Sequence, residues 1–248
     1  MIAWRPLLIA LMSLYVGQAW GQDNSDDPII RYEIVDDYEE GESEEFEPPI
    51  QSINYILETA VPLNKGEFFY QNILLFGQRF GYGVSDRFTL NGGIELFNLV
   101  NGNQSPTIYL GPKLNLNDRY DPIKVAVGTN FFYRSDFGFA EYGGNIYGVI
   151  TIGDLDNNLT AGIHFGYDRF EFFGSPLIQI SGKVRLSDHW GLVLESVNLT
   201  DTNDFVAVPA LFIRFMSPSL VVDLGAATTS VGGGVVPLAN FAIQLNKR

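Results

Sequence analysis

From residue 51 to residue 245, apolar side chains recur at every second position. Between Pro176 and Leu186, Ile178, Ile180, Val184 and Leu186 share one face with Gly182, while Gln179, Ser181, Lys183 and Arg185 share the other. Between Leu159 and Asp168, Leu159, Ala161, Ile163, Phe165 and Tyr167 oppose Thr160, Gly162, His164, Gly166 and Asp168. A period of two belongs to a strand with two unlike faces, and the helical period of about 3.6 fits neither stretch. Twelve segments read this way: 52–60, 67–83, 87–99, 107–117, 122–134, 142–153, 158–168, 175–186, 189–199, 204–216, 219–228 and 235–245.

The connections alternate in character. Ser85-Asp86, 117–121, 154–157, Ser187-Asp188 and Ser217-Pro218 are tight. The segments 61–66, 101–106, 135–141, 169–174, 201–203 and 230–234 are longer or richer in Gly, Asn and aromatics. Short turns at one rim and longer loops at the other, with both chain ends on the short-turn side, predict a single antiparallel transmembrane β-barrel of about twelve strands, ten being the alternative.

A soluble β protein also alternates, but its outer face is dense in Lys and Glu. Here the polar face is mostly Gly, Asn, Thr, Gln and Tyr, and the apolar face carries almost no charge. Lipid imposes that pattern, because Lys or Arg at the bilayer midplane costs about 2–4 kcal/mol. Closure is required as well, since an open edge leaves backbone groups unpaired in hydrocarbon. Aromatics gather near segment ends, as interfacial girdles do: Phe80, Tyr82, Phe88, Tyr120, Trp190 and Phe215 by the tight turns, and Phe131, Tyr133, Phe137, Phe139, Phe170, Phe172 and Phe173 by the long loops.

Residues 1–21 place Arg5 before an apolar run from Leu7 to Val16, with Ala19 and Gly21 at a small-residue cleavage site. This predicts a secretory signal peptide. The next stretch, 22–50, is an expected disordered periplasmic tail. Its residues 23–50 hold twelve acids against Arg31, a charge of −11 out of −14 for the whole chain. The barrel, 51–248, is close to neutral at −4. No basic footprint exists for nucleic acid. With no Cys and only His164 and His189, thiolate metal sites and Cys nucleophiles are excluded, and no cofactor or metal is expected.

The leader, acidic spacer and alternating body resemble a Gram-negative outer-membrane β-barrel protein. More narrowly, Thr59-Ala60-Val61-Pro62-Leu63-Asn64-Lys65-Gly66-Glu67, followed by Tyr70-Gln71-Asn72, is similar to a stretch of an uncharacterised envelope-barrel family. This chain departs from that pattern at Glu58, Asn64 and Phe68, and it ends in Lys247-Arg248 where many such barrels end in an aromatic. The resemblance implies outer-membrane lipid and the barrel assembly machinery as partners, and carries no known activity.

Strand parity sends Arg79, Lys113, Lys124, Arg134, Lys183, Arg185 and Arg214 into the lumen, with the acids Glu58, Glu95, Asp168, Glu195 and Asp223. All these bases except Arg134 lie close to a tight turn and form a basic band at the periplasmic end. The acidic tail emerges beside that band, so residues 23–50 are expected to dock at the mouth. The functional expectation is a narrow, tail-gated passive pore for small polar solutes or ions. The alternatives are a non-conducting structural or surface-interaction barrel, and a barrel enzyme acting on envelope lipid or peptide through His164.

Overall fold

The computed structural model describes residues 46–96, 106–136, 139–169, 171–172, 174–200, 205–228 and 234–245. The expected signal peptide, the acids of 23–45 and much of the long connections lie outside the described residues. The described chain forms β1 (Phe68–Ile73), β2 (Gly77–Ser85), β3 (Phe88–Glu95), β4 (Thr107–Asn115), β5 (Ile123–Asp136), β6 (Phe139–Gly153), β7 (Asn158–Asp168), the two-residue β8 (Glu171–Phe172), β9 (Leu177–Arg185), β10 (Trp190–Thr200), β11 (Phe205–Met216), β12 (Leu220–Thr228) and β13 (Val235–Leu245). Every pairing is antiparallel, and β1 pairs with β13 from Phe68↔Leu245 to Ile73↔Asn240, so the sheet closes. Setting β8 aside as a two-residue flap on β7, twelve strands make the wall. No strand edge is left open around the ring, which is the condition hydrocarbon sets.

The wall has the burial pattern of a soluble protein turned inside out. In β9, Ile178, Ile180 and Val184 are exposed on the outside, whereas Gln179 and Ser181 are fully buried. Lys113, Thr89, Asn91, Thr151, Thr160 and Asp223 are likewise buried on the inner face, while Leu110, Leu114, Val127, Phe131, Ile146, Leu211 and Leu224 stand outward. An outer surface this apolar is stable against lipid and unstable against water.

Two rims follow from the connections. At the near rim, β1 begins, β13 ends, and the links are 86–87, 116–122, 154–157, 186–189 and 217–219. The far rim carries the turn 74–76 and, among the described residues, the opposite ends of the strands, such as Glu95 of β3, Thr107 of β4 and Leu177 of β9.

Two expected segments need correction. The first is 52–60, which contributes no strand to the wall; it makes only an isolated bridge, Ile53↔Glu58, inside the barrel. The second is 67–83, which divides into β1 and β2 at Leu74-Leu75-Phe76. Leu74 and Leu75 both have positive φ (52° and 67°). Phe76 donates its N–H to Ile73 O at 3.1 Å, so Leu74 and Leu75 are the central pair of a turn whose left-handed positions are normally supplied by Asn-Gly. Two leucines give no turn signal, so the hairpin is silent in sequence. The two errors cancel in the strand count. They also move 61–66 from the long-loop side to the near rim, where Gly66 donates its N–H to Gly83 O at 2.8 Å and Lys65 donates its N–H to Asp86 Oδ1 at 2.9 Å.

Candidate functional site

Residues 46–66 run into the lumen and back out by the same rim. On the way in, Phe46 lies at the near-rim mouth, 4.9 Å beneath the Arg185 guanidinium and 5.7 Å from the ring of His189 in the 186–189 turn. On the way out, Asn64 passes so close to β2 that a Cβ on Gly83 would sit 2.0 Å from its carbonyl oxygen. Only glycine lets the returning backbone reach the wall there. Between these points Ile50, Ile53, Tyr55, Ala60, Val61 and Leu63 are buried.

The middle of the segment is a small hairpin. Asn54 donates its N–H to Leu57 O at 3.0 Å and Thr59 to Ser52 O at 3.0 Å. The turn from Asn54 to Leu57 is its tip, pointing away from the near rim. Three consecutive amides at that tip face one wall carboxylate: Tyr55, Ile56 and Leu57 donate to Glu195 Oε1 at 2.6, 3.1 and 3.1 Å. Successive N–H groups converging on one anion form a nest, here with the anion supplied by β10.

The hairpin's carbonyl oxygens are taken by the wall's donors. Lys113 Nζ reaches Ser52 O, Thr59 O and Val61 O at 3.0, 3.1 and 3.3 Å. Arg79 donates to Ile56 O at 2.8 Å, Arg214 to Asn54 O at 2.7 Å and Gln71 to Tyr55 O at 2.6 Å. Gln179 donates to Glu58 O at 2.7 Å and Asn115 to Ala60 O at 2.6 Å. In return, Ala60 N–H donates to Thr151 Oγ1 at 2.8 Å. Strands from all sides of the barrel therefore hold one stretch of main chain.

Side chains complete the seat. Glu58 pairs with Arg79 and, at 3.1 Å, with Lys113, and Asn91 donates to it at 3.2 Å. Tyr55 stacks on Phe212 with ring centroids 3.9 Å apart, and its hydroxyl donates to Ala239 O at 3.2 Å. Burial, with the carboxylates of Asp223 and Glu195 adding to it, pushes the Tyr55 phenol above its ordinary value and keeps it neutral. Ile50, Ile53 and Leu63 join Phe69, Met216, Val221 and Ala242 in an apolar cluster near the mouth.

The charged residues expected in the lumen divide into groups. Arg79, Lys113, Lys183 and Arg214 are buried and meet the segment; Lys183 donates to Gln51 Oε1. Arg214 also pairs with Asp223 at 2.7 and 3.0 Å, and Asn240 donates to Asp223 at 2.8 Å. Arg185 stays at the mouth, donating to Phe46 O at 3.1 Å and pairing with Asp156 at 3.0 Å. Lys124 is buried but donates to Gly153 O, a barrel carbonyl, at 2.7 Å. Glu195 receives the tip. Glu58 belongs to the hairpin itself, a correction to its expected place on a wall strand. Glu95 and the exposed Asp168 stand toward the far rim, Glu95 lining the cavity that adjoins the hairpin tip. The Arg134 side chain lies outside what the structure describes.

Parity missed Arg119, which sits in the 116–122 turn, where no strand face exists. It is buried, donates to Pro62 O at 2.8 Å, and pairs with Glu47 and with Glu67 at 3.4 Å. Glu47 is the one acid of the 23–50 tail among the described residues. His164 bonds Gln179 at 2.7 Å and stacks on Tyr147.

Beyond the tip, a cavity of about 350 Å³ is floored by Ile56, Leu57 and Glu58 and walled by residues including Tyr109, Asn130, Phe132, Asn145, His164 and Leu177. Among the described residues, the lumen is thus filled on the near-rim side and opens into this cavity beyond the tip.

No protein-family model and no curated protein matches the chain. Among solved structures, it is similar to the KdgM porin, with a TM-score of 0.49 and 8% identity over 73% of this chain and 99% of that one. It is also similar to OprB of Pseudomonas putida in its low-pH structure, with a TM-score of 0.37 and 9% identity over 68% of this chain and 55% of that one.

Proposed function

We propose that the chain is an outer-membrane channel that residues 46–66 hold shut. The observation that carries this reading is the path of the segment. It enters and leaves the lumen at one rim, and it is bound mainly through its main chain. A re-entrant hairpin withdraws as a unit, with no free end to thread through the wall. A barrel of eight strands can be filled by its own side chains, and a twelve-stranded lumen is wider. What the hairpin would leave behind is a lining of Lys, Arg, Asn, Gln and Thr with the acids Glu195 and Asp223, which suits water and small polar solutes.

In this reading, residues 1–21 direct export, and the near rim, whose mouth holds Arg119 and Arg185, faces the periplasm. A non-conducting surface module is the second reading. It draws on the apolar seats of the hairpin, Tyr55 on Phe212 and the cluster around Ile53, which suit a permanent filling.

Planar-bilayer recording separates the two. Glu195→Ala leaves three tip amides without their acceptor. Hydrogen bonds to a charged group are worth about 1.5–3 kcal/mol, so the variant should open at least about tenfold more often than the unaltered chain. Equal silence in both would contradict the channel and favour the module.

A further inference from the structure

We propose that the opened pore prefers anions, and that Arg79, Lys113, Lys183 and Arg214 form its filter. The proposal rests on the channel reading above and names the solute class that channel passes. The four cations stand on β2, β4, β9 and β11, so they are spread around the ring rather than clustered on one side. All four are buried at the level of the hairpin. Each holds an oxygen of the hairpin: Ile56 O and Glu58 for Arg79, three carbonyls and Glu58 for Lys113, Gln51 Oε1 for Lys183, and Asn54 O for Arg214.

Withdrawal of the hairpin removes all of those oxygens at once, Glu58 with them. Among the described residues, the wall strands retain two acids at this level, Glu195 and Asp223; Asp223 is already held by Arg214 and Asn240, and Glu67, nearer the mouth, is paired with Arg119. Arg79, Lys113 and Lys183 are then cations in a confined space with their former acceptors gone. A buried or confined charge without a partner is costly, so it recruits an oxygen-bearing anion or chloride in place of the carbonyls. Rings of Lys and Arg are the arrangement that selects anions in pores. The hairpin's carbonyl oxygens thus occupy the places that carboxylate or phosphate oxygens of a permeating solute would take.

The test is a reversal potential across a KCl gradient on the full chain carrying Tyr55→Ala. That change removes the stack on Phe212 and the bond to Ala239 without altering any charge. The expected result is chloride preferred over potassium by about threefold or more, with millimolar citrate reducing the chloride current. Adding Lys113→Gln and Lys183→Gln should bring the ratio close to one and abolish the citrate effect. A ratio of one or a potassium preference in the Tyr55→Ala chain overturns the anion filter and leaves the channel standing; this decides the matter even where the triple variant fails to fold. No current in the unaltered, Glu195→Ala and Tyr55→Ala chains overturns the channel and the filter together.

Discussion

At the scale of the residue, neighbours one position apart live in different solvents. Ile180 is exposed on the outer face and Ser181, beside it, is fully buried, with its hydroxyl accepting from Asn54 Nδ2 at 2.8 Å. The outer position answers to lipid, so Ile180→Arg should destabilise the folded barrel by about 2–4 kcal/mol, read from urea unfolding in lipid vesicles. A change below about 0.5 kcal/mol would mean that this face meets water. On the inner face the pairings are reciprocal. Glu195 takes three amides of the hairpin tip, and Lys113 takes three carbonyls of its arms. One acid and one base together bind both polarities of the peptide backbone. A barrel that binds a segment in this way grips its main chain directly, and the side chains of Gln51, Asn54, Tyr55 and Glu58, with the apolar cluster of Ile50, Ile53 and Leu63, add to that hold.

At the scale of the element, alternation located most of the wall. From β3 through β13, the two-residue β8 apart, the strands lie where period-two segments were found, because lipid outside and polar groups inside write the same pattern into each strand. The failures share a cause. Residues 52–60 alternate too, through Ile53, Tyr55 and Leu57, but a hairpin arm buried inside a barrel also has two faces. Period alone does not say whether the partner is a wall neighbour or the lumen. The β1–β2 turn was illegible because its two left-handed residues are leucines. Bulky residues there cost on the order of 1 kcal/mol each. Replacing Leu74→Asn together with Leu75→Gly should therefore stabilise the barrel by about 1 kcal/mol, measured as a raised urea midpoint; a lowered midpoint would show that the leucines are held there by contacts worth more than the strain. The candidate site was half legible. Parity found the lumen cations and Glu195, but not the hairpin they hold, nor Arg119, whose turn has no face from which to read direction.

At the scale of the whole molecule, a closed wall surrounds a re-entrant filling. The wall satisfies its backbone through twelve strands in a ring, and the filling satisfies its own through wall side chains. Among the described residues, the lumen is occupied by the hairpin on the near-rim side and holds a cavity beyond its tip. The central claim is that movement of this hairpin opens the channel. Asn54 at the tip and Ser181 on β9 are in side-chain contact at 2.8 Å, and the chain has no cysteine of its own. Asn54→Cys with Ser181→Cys, placed in the Glu195→Ala chain, gives a single reversible tether between hairpin and wall. The decisive measurement is single-channel current from this protein before and after reduction. The account predicts a closed barrel when the disulfide is formed and current when dithiothreitol breaks it. Equal current in the oxidised and reduced states, with the disulfide verified by mass, would contradict it.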